Sequence, residues 1–304
     1  MKLKSTLISK AISKVIITTA IAASLTSTVF AEQVLFKNVN IFNGTENKVY
    51  KNHHVLVEGN LIKAISKNSI KAEKEATIID GKGKTLMPGL IEAHAHLNLM
   101  GPSLPAMEAN TTWEDFAIHG AAMAEMYLMQ GFTTLRDAGG AGGGIPRAID
   151  AGTIIGPRVY TSGAFLGTRG GHADFANYTS PVGESTNMSR LNMAQEVDSV
   201  ADVQKFGRNN FRMGATQLKY MQSGGVVSAF DPWQLLAGSD AEIKAAVQVA
   251  NEYGSYVMAH SYRKEAMMSA LNAGVRSIEH GFSFDCEVAD LMKKKGAFIT
   301  TNLT

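Results

Sequence analysis

Two histidines spaced i, i+2 close an apolar run in Thr85-Leu-Met-Pro-Gly-Leu-Ile-Glu-Ala-His94-Ala-His96-Leu. Side chains alternate along a strand, so His94 and His96 share a face while Ala95 points away. Two neutral imidazoles converging from one strand end suit a divalent cation, zinc above all. A bare His-x-His is a weak signal, because histidines reach that spacing by chance on surfaces and in cores. The Pro88-Gly89 turn, the apolar strand and two later histidines strengthen it. His260 ends Tyr256-Val-Met-Ala-His and His280 ends Ser277-Ile-Glu-His, each just before a loop or Gly281. One such histidine is more simply a packed core residue; two on successive strands, downstream of His94 and His96, favour ligands. Lys219 lies inside the apolar run Thr216-Gln-Leu-Lys-Tyr-Met, where a free ammonium is costly to bury. It is either paired with a carboxylate or modified to a carbamate that serves as an anionic oxygen ligand. Spacing does not choose between them.

These residues need elements to hold them. Residues 33–87 read as short strands with polar turns at Asn43-Gly44 and Glu58-Gly59-Asn60, a small antiparallel β unit. His53 and His54 fall there as exposed strand-edge residues. After Pro88 the rhythm becomes strand, loop, helix. Strands are predicted at Leu90–Leu97, Thr133–Ala138, Val159–Phe165, Gln217–Met221, Tyr256–Ser261, Ser277–His280 and Phe298–Leu303. Amphipathic helices are predicted at Trp113–Met129, Gln195–Arg212, Asp240–Glu252, Lys264–Asn272 and Glu287–Lys295. Ser239-x-x-Glu242 is a capping box for the third of these, and Gly274 and Gly296 suit C-caps of the last two. This alternation predicts an α/β chain with a parallel sheet, a (β/α)₈ TIM-type barrel ahead of a doubly wound open sheet. The open sheet predicts a Gly-rich phosphate loop after the first strand, where this chain has histidines instead. About seven barrel strands can be counted and the seventh runs to the end of the sequence, so the expectation is an incomplete barrel from a truncated product. The domain expectation is a leader at 1–31, a small β-sandwich subdomain at 32–87 and the barrel at 88–304.

Residues 1–31 have the pattern of a cleaved secretory signal: Lys2, Lys4, Lys10 and Lys14, an apolar core from Val15 to Leu25, and Val29-Phe30-Ala31 at the cleavage site. The apolar run is shorter than the ~20 residues that span a bilayer. A periplasmic or secreted protein without a stable membrane anchor is expected. The whole chain carries 29 basic and 27 acidic side chains, a net +2. The leader holds four lysines and no acid, so without it the balance is 25 to 27. Nothing in that balance suggests nucleic acid or an anionic membrane. The single cysteine, Cys286, excludes an internal disulfide and reads as a packed residue early in a helix. With 45% hydrophobic residues the chain can bury a large core.

The pattern resembles the metal-dependent amidohydrolase superfamily, particularly its imidazolonepropionase-like and Xaa-Pro dipeptidase branch. The motifs are Leu86-Met-Pro-Gly-Leu-Ile-Glu-Ala-His-Ala-His-Leu, Gly131-Phe-Thr-Thr-Leu-Arg-Asp, Gly170-Gly-His, Leu218-Lys-Tyr-Met-Gln-Ser-Gly-Gly, Ala259-His-Ser-Tyr and Ala273-Gly-Val-Arg-Ser-Ile-Glu-His-Gly. They cover nearly all of residues 34–304. The resemblance implies two divalent ions, zinc foremost, with His94 and His96 on the more buried one. It implies Lys219, as a carboxylated lysine, bridging both, and His260 and His280 on the second. A metal-activated hydroxide would then cleave amide bonds of small peptides such as Xaa-Pro dipeptides. Cyclic amides, lactones or phosphotriesters are the alternative substrates, and homo-oligomerisation is left open.

Tyr262 resembles a family tyrosine that donates to the substrate carbonyl, although a plain rim aromatic is as good a reading of the residue itself. His172, in a glycine-rich loop after the third strand, is a candidate substrate contact. Arg136 and Asp137 read as a structural ion pair, Gly139–Gly144 as a flexible loop near the mouth, and Arg169 as a partner for a substrate carboxylate. The family's aspartate after an eighth strand has no counterpart before Thr304, and Asp285 does not replace it. Losing such a proton shuttle typically removes ~10²–10⁴-fold in rate, so an inactive fragment is the remaining expectation.

Overall fold

The computed structural model of the protein describes residues 32–101, 103–228 and 230–301. The expected leader lies outside them, as do residues 302 and 303 of the last predicted strand. The chain forms two compact units divided between Pro88 and Gly89. No helix among the described residues is long and apolar enough to cross a membrane.

The first unit is one mixed sheet of β1 (Gln33–Phe42), β2 (Val49–Glu58), β3 (Leu61–Ser66), β4 (Thr77–Asp80) and β5 (Thr85–Leu86). Its order is β3-β2-β1-β4, with β5 also on β1. The β1/β2 and β2/β3 pairs are antiparallel, as expected, but β4 and β5 run parallel to β1. The expected wholly antiparallel unit is therefore corrected to a mixed sheet among the described residues. The physical reason is the stretch 67–76, long enough to cross back over the sheet and re-enter in β1's direction. His53 and His54 are partly buried on β2, an inner strand, rather than at an edge.

The second unit alternates parallel strands with helices. It runs β6 (Leu90–Ala95), α1 (Leu104–Asn110), α2 (Trp113–Met129), β7 (Phe132–Asp137), α3 (Gly144–Asp150), β8 (Arg158–Thr161), β9 (Phe165–Gly167), α4 (Asn187–Arg190), β10 (Ala194–Glu196), α5 (Val200–Arg212) and β11 (Leu218–Met221). It continues through α6 (Asp240–Glu252), β12 (Val257–Ser261), α7 (Lys264–Ala273), β13 (Ser277–His280), α8 (Cys286–Lys295) and β14 (Phe298–Thr300). The ladders join β6-β7-β8 in one sheet and β10-β9-β11-β12-β13-β14 in another. Among the described residues these are two sheets, not one closed cylinder.

The helices cover the sheet through periodic apolar faces. On α6, Ile243, Ala246, Val249 and Ala250 are buried against Leu218 and Val257, each larger side chain contributing about 1.5–3 kcal/mol. Ser239 forms the predicted capping box with Glu242, and Gly274 and Gly296 end α7 and α8 in left-handed conformations. The predicted strand Val159–Phe165 is broken in two. The Asn210 amide takes the place of a strand partner, donating to the Ala164 carbonyl (2.9 Å) and accepting from its N–H (3.1 Å). The predicted helix Gln195–Arg212 begins only at Val200, where Ser199 caps it; Ala194–Glu196 pairs instead with β9. The Gly139–Gly144 run is corrected from a flexible mouth loop to packed chain leading into α3. Gly139 is buried at φ +130°, and a Cβ there would lie 2.2 Å from the Phe165 ring.

Candidate active site

The C-terminal ends of β6, β11, β12 and β13 bring the candidate residues together. Ring centroids are 5.1 Å apart for His94 and His96, 4.7 Å for His94 and His280, and 4.7 Å for His280 and His260. His172, on the loop after β9, stacks nearly parallel on His260 at 4.0 Å. The Tyr262 ring lies 4.5 Å from His260 and 5.1 Å from His280, although β12 ends one residue earlier. Lys219 lies on β11, 1% exposed, in register with Met258 of β12. Its charge is felt by His94, His96, His260 and His280 alike. His280 takes a left-handed φ of +74°, sparsely populated for a residue with a side chain and the kind of backbone strain that clusters at functional sites.

Hydrogen bonding fixes the imidazole tautomers. His94 Nδ1 faces a Glu279 carboxylate oxygen at 2.6 Å, His96 Nδ1 faces the Gly139 carbonyl at 3.2 Å, and His260 Nε2 faces the Gly224 carbonyl at 3.0 Å. Carbonyl and carboxylate oxygens only accept, so each of these nitrogens carries the proton and donates it. The opposite nitrogen of each ring is left as a bare lone pair. For His94 that atom, Nε2, is buried with no protein partner. A ring donating one N–H to a fixed oxygen while its other nitrogen points free is the arrangement of a metal-ligating histidine.

Burial keeps the rings neutral. It pushes His94 down to about 2, with Lys219 and Arg136 adding to the effect, and His280 to about 2, helped by Lys219 and His94. His96 and His260 are held well below the ordinary imidazole range, chiefly by burial. Burial also lowers Lys219 to about 8, against the pull of Glu279 and Asp137. Burial raises the Tyr262 phenol, which therefore keeps its proton at neutral pH.

Among the described residues no three His, Cys, Asp or Glu side chains are arranged to hold an ion by themselves. The imidazoles form one chain, His96–His94–His280–His260, with neighbouring centroids 4.7–5.1 Å apart, and buried Lys219 is the further nitrogen beside them. With that lysine, neutral rings and bare nitrogens fit divalent cations in donor chemistry. A cavity of about 710 Å³ lies elsewhere, lined by Thr134, Gln217, Tyr256 and Ser277 from the opposite ends of the strands.

Two residues missed in the sequence complete the site. Glu279 is fully buried and accepts from Arg136 (2.9 and 3.1 Å), Ser277 (2.6 Å) and His94. Asp231 accepts from His172 Nδ1 (3.0 Å) and from the Gly225 N–H (2.7 Å). The signal for Glu279 was its i, i+2 relation to Ser277 on an apolar strand; Asp231 gave none.

Three expectations are corrected. Arg136 pairs with Glu279 rather than with Asp137, which instead accepts backbone N–H groups from Leu97, Gly139 and Ala141. Side chains alternate along β7, so neighbouring residues 136 and 137 cannot share a face. Arg169 is occupied by Glu196, with Asp198 3.9 Å away. Cys286 opens α8 exposed rather than packed, because the buried face of that helix is the one carrying Val288 and Met292.

The Amidohydrolase family profile matches residues 85–304. Ochratoxinase from Aspergillus niger is 34% identical over 228 residues, 69% of this chain and 46% of that protein. A prolidase solved with N-methylphosphonate-L-proline has a TM-score of 0.81 at 34% identity, covering 88% of this chain and 66% of that one. A Xaa-Pro dipeptidase with bound methionine has a TM-score of 0.77 at 29% identity, covering 88% and 66%. The chain thus spans about half the length of the curated relatives it matches and about two thirds of these solved chains. With the imidazoles and Lys219 gathered at the strand ends inside the matched region, the chain belongs to the amidohydrolase family.

Proposed function

We propose that the protein is a metal-dependent hydrolase of carbon–nitrogen bonds in small peptides, with Xaa-Pro dipeptides as substrates and the periplasm or exterior as its location. The observation that carries this reading is the set of histidines whose tautomers leave bare nitrogens around buried Lys219. Two divalent ions, zinc foremost, would be held by His94 and His96 and by His260 and His280, with Lys219 as a carbamate between them. Such ions would polarise the scissile carbonyl and make water a stronger nucleophile.

The chain's own groups supply the rest. Glu279 holds His94 in one tautomer, and Asp231 does the same for His172. The protonated Tyr262 phenol is a ready donor to a carbonyl oxygen gaining negative charge. The likeness to prolidase and Xaa-Pro dipeptidase structures favours dipeptides over cyclic amides, lactones or phosphotriesters.

The test is proline release from Xaa-Pro dipeptides by the full chain with zinc or manganese supplied. Activity should vanish on chelation, and His94→Ala should reduce it to background. Hydrolysis at the wild-type rate by His94→Ala would overturn the assignment.

A further inference from the structure

Past the catalytic rings, the turn after β13 is built to hold an aromatic face open. His280 and Gly281 both have positive φ, +74° and +63°, so the chain reverses sharply as it leaves the strand. The Gly281 N–H donates to the Ser261 carbonyl (3.1 Å) and the Ser283 N–H to the Tyr262 carbonyl (2.9 Å), fastening the turn to the end of β12. Between these two bonds sits Phe282. Its ring stacks on Tyr262 at 4.5 Å and 20°, and lies 6.4 Å from His280. One face is covered by Tyr262, yet the residue is 62% exposed. The stack therefore runs from His260 through Tyr262 to Phe282 and ends on an uncovered aromatic surface.

The charges around this rim are already committed. Arg263 faces Glu265 at 3.0 Å, and Lys264 faces Asp285 and Glu287 at 2.7 and 2.5 Å. An acidic substrate side chain would find each of these cations paired. An apolar or aromatic side chain would find a fixed ring to cover.

We infer that Phe282 is a specificity-determining residue, stacking on an apolar or aromatic side chain beside the scissile amide. This rests on the hydrolase reading above and names the substrate class for that same site. Partial burial of one aromatic side chain against another corresponds to a preference of about tenfold over a substrate lacking it.

The experiment compares kcat/KM for Phe-Pro, Leu-Pro, Asp-Pro and Gly-Pro in the wild type and in Phe282→Ala, Phe282→Tyr and Phe284→Ala. Phe284, 43% exposed on the same turn, is the control. The wild type should prefer Phe-Pro over Gly-Pro by about tenfold and Asp-Pro not at all. Phe282→Ala should bring the Phe-Pro to Gly-Pro ratio to about one, while Phe282→Tyr and Phe284→Ala keep it. No preference in the wild type, or an unchanged ratio in Phe282→Ala, would overturn the inference.

Calorimetric binding of N-acetyl-phenylalaninamide against N-acetyl-glycinamide decides the matter without turnover. If no dipeptide is cleaved, the hydrolase reading fails; a Phe282-dependent preference in binding then still upholds the aromatic platform. Equal binding of the two amides, or none, removes it.

Discussion

Glu279 joins two halves of the site through one buried carboxylate. One oxygen takes the Ser277 hydroxyl and the Arg136 guanidinium, and the other takes Arg136 and the His94 ring. Arg136 in turn donates to the Ala93 carbonyl at 2.6 Å and the Thr300 hydroxyl at 2.8 Å, so β6, β13 and β14 share one polar network. Glu279→Gln has one acceptor oxygen where two were used. Arg136 reaches both positions and keeps one acceptor, so the amide nitrogen displaces the acceptor of either Ser277 or His94. A neutral amide oxygen is also a weaker acceptor for the His94 N–H than a carboxylate, so metal affinity should fall by about 10–100-fold. Competition with a chromophoric chelator measures this directly, and wild-type affinity in the variant would show that His94 is oriented by packing alone. At this scale the histidines and Lys219 could be found in the sequence, because polar residues closing apolar strands stand out. Their supporting acids could not. Asp231 lies twelve residues beyond Lys219 in a loop of no regular period, and only the fold brings it under His172.

Elements were legible where their signals are local. The Ser239 and Glu242 box, the apolar face of α6 and the glycines ending α7 and α8 each act within one turn of helix, and each is present where the sequence placed it. Ser239→Ala should remove one such signal at a cost of about 1 kcal/mol, read as a small fall in urea midpoint with an unchanged slope. A wild-type midpoint would mean that packing of Ile243 and Val249 alone sets the start of α6. Signals that depend on a distant partner were not legible. The break between β8 and β9 is made by Asn210, more than forty residues away, and the β4 direction is set by a crossover whose own residues carry no strand pattern. Short helices such as α1 and α4 were likewise hidden, since four to seven residues cannot display a helical period.

For the whole molecule, buried histidines, one acid and one amine set how metal-free protein responds to pH. Burial holds His94, His96, His260 and His280 well below 6.5, so as pH falls through that value the unfolded chain takes up protons that the native state refuses. Their contributions to stability rise with pH in that range. Burial raises Asp137 from 3.8 to about 7, which gives the opposite slope, but one carboxyl is outnumbered by four rings. Burial lowers Lys219 from 10.5 to about 8, so between those values the unfolded chain holds a proton that the native state lacks. There stability rises again, by on the order of 3 kcal/mol if the shift is fully expressed. Urea denaturation from pH 5 to 10 in the presence of a chelator should trace both rises. Lys219→Met should remove the alkaline rise and leave the acid-side one in place, and Asp137→Asn should steepen the acid-side rise. A flat alkaline limb would mean that water reaches Lys219 in the native state. It would also take away the buried, partly neutral amine that a carbamate at Lys219 needs for its formation.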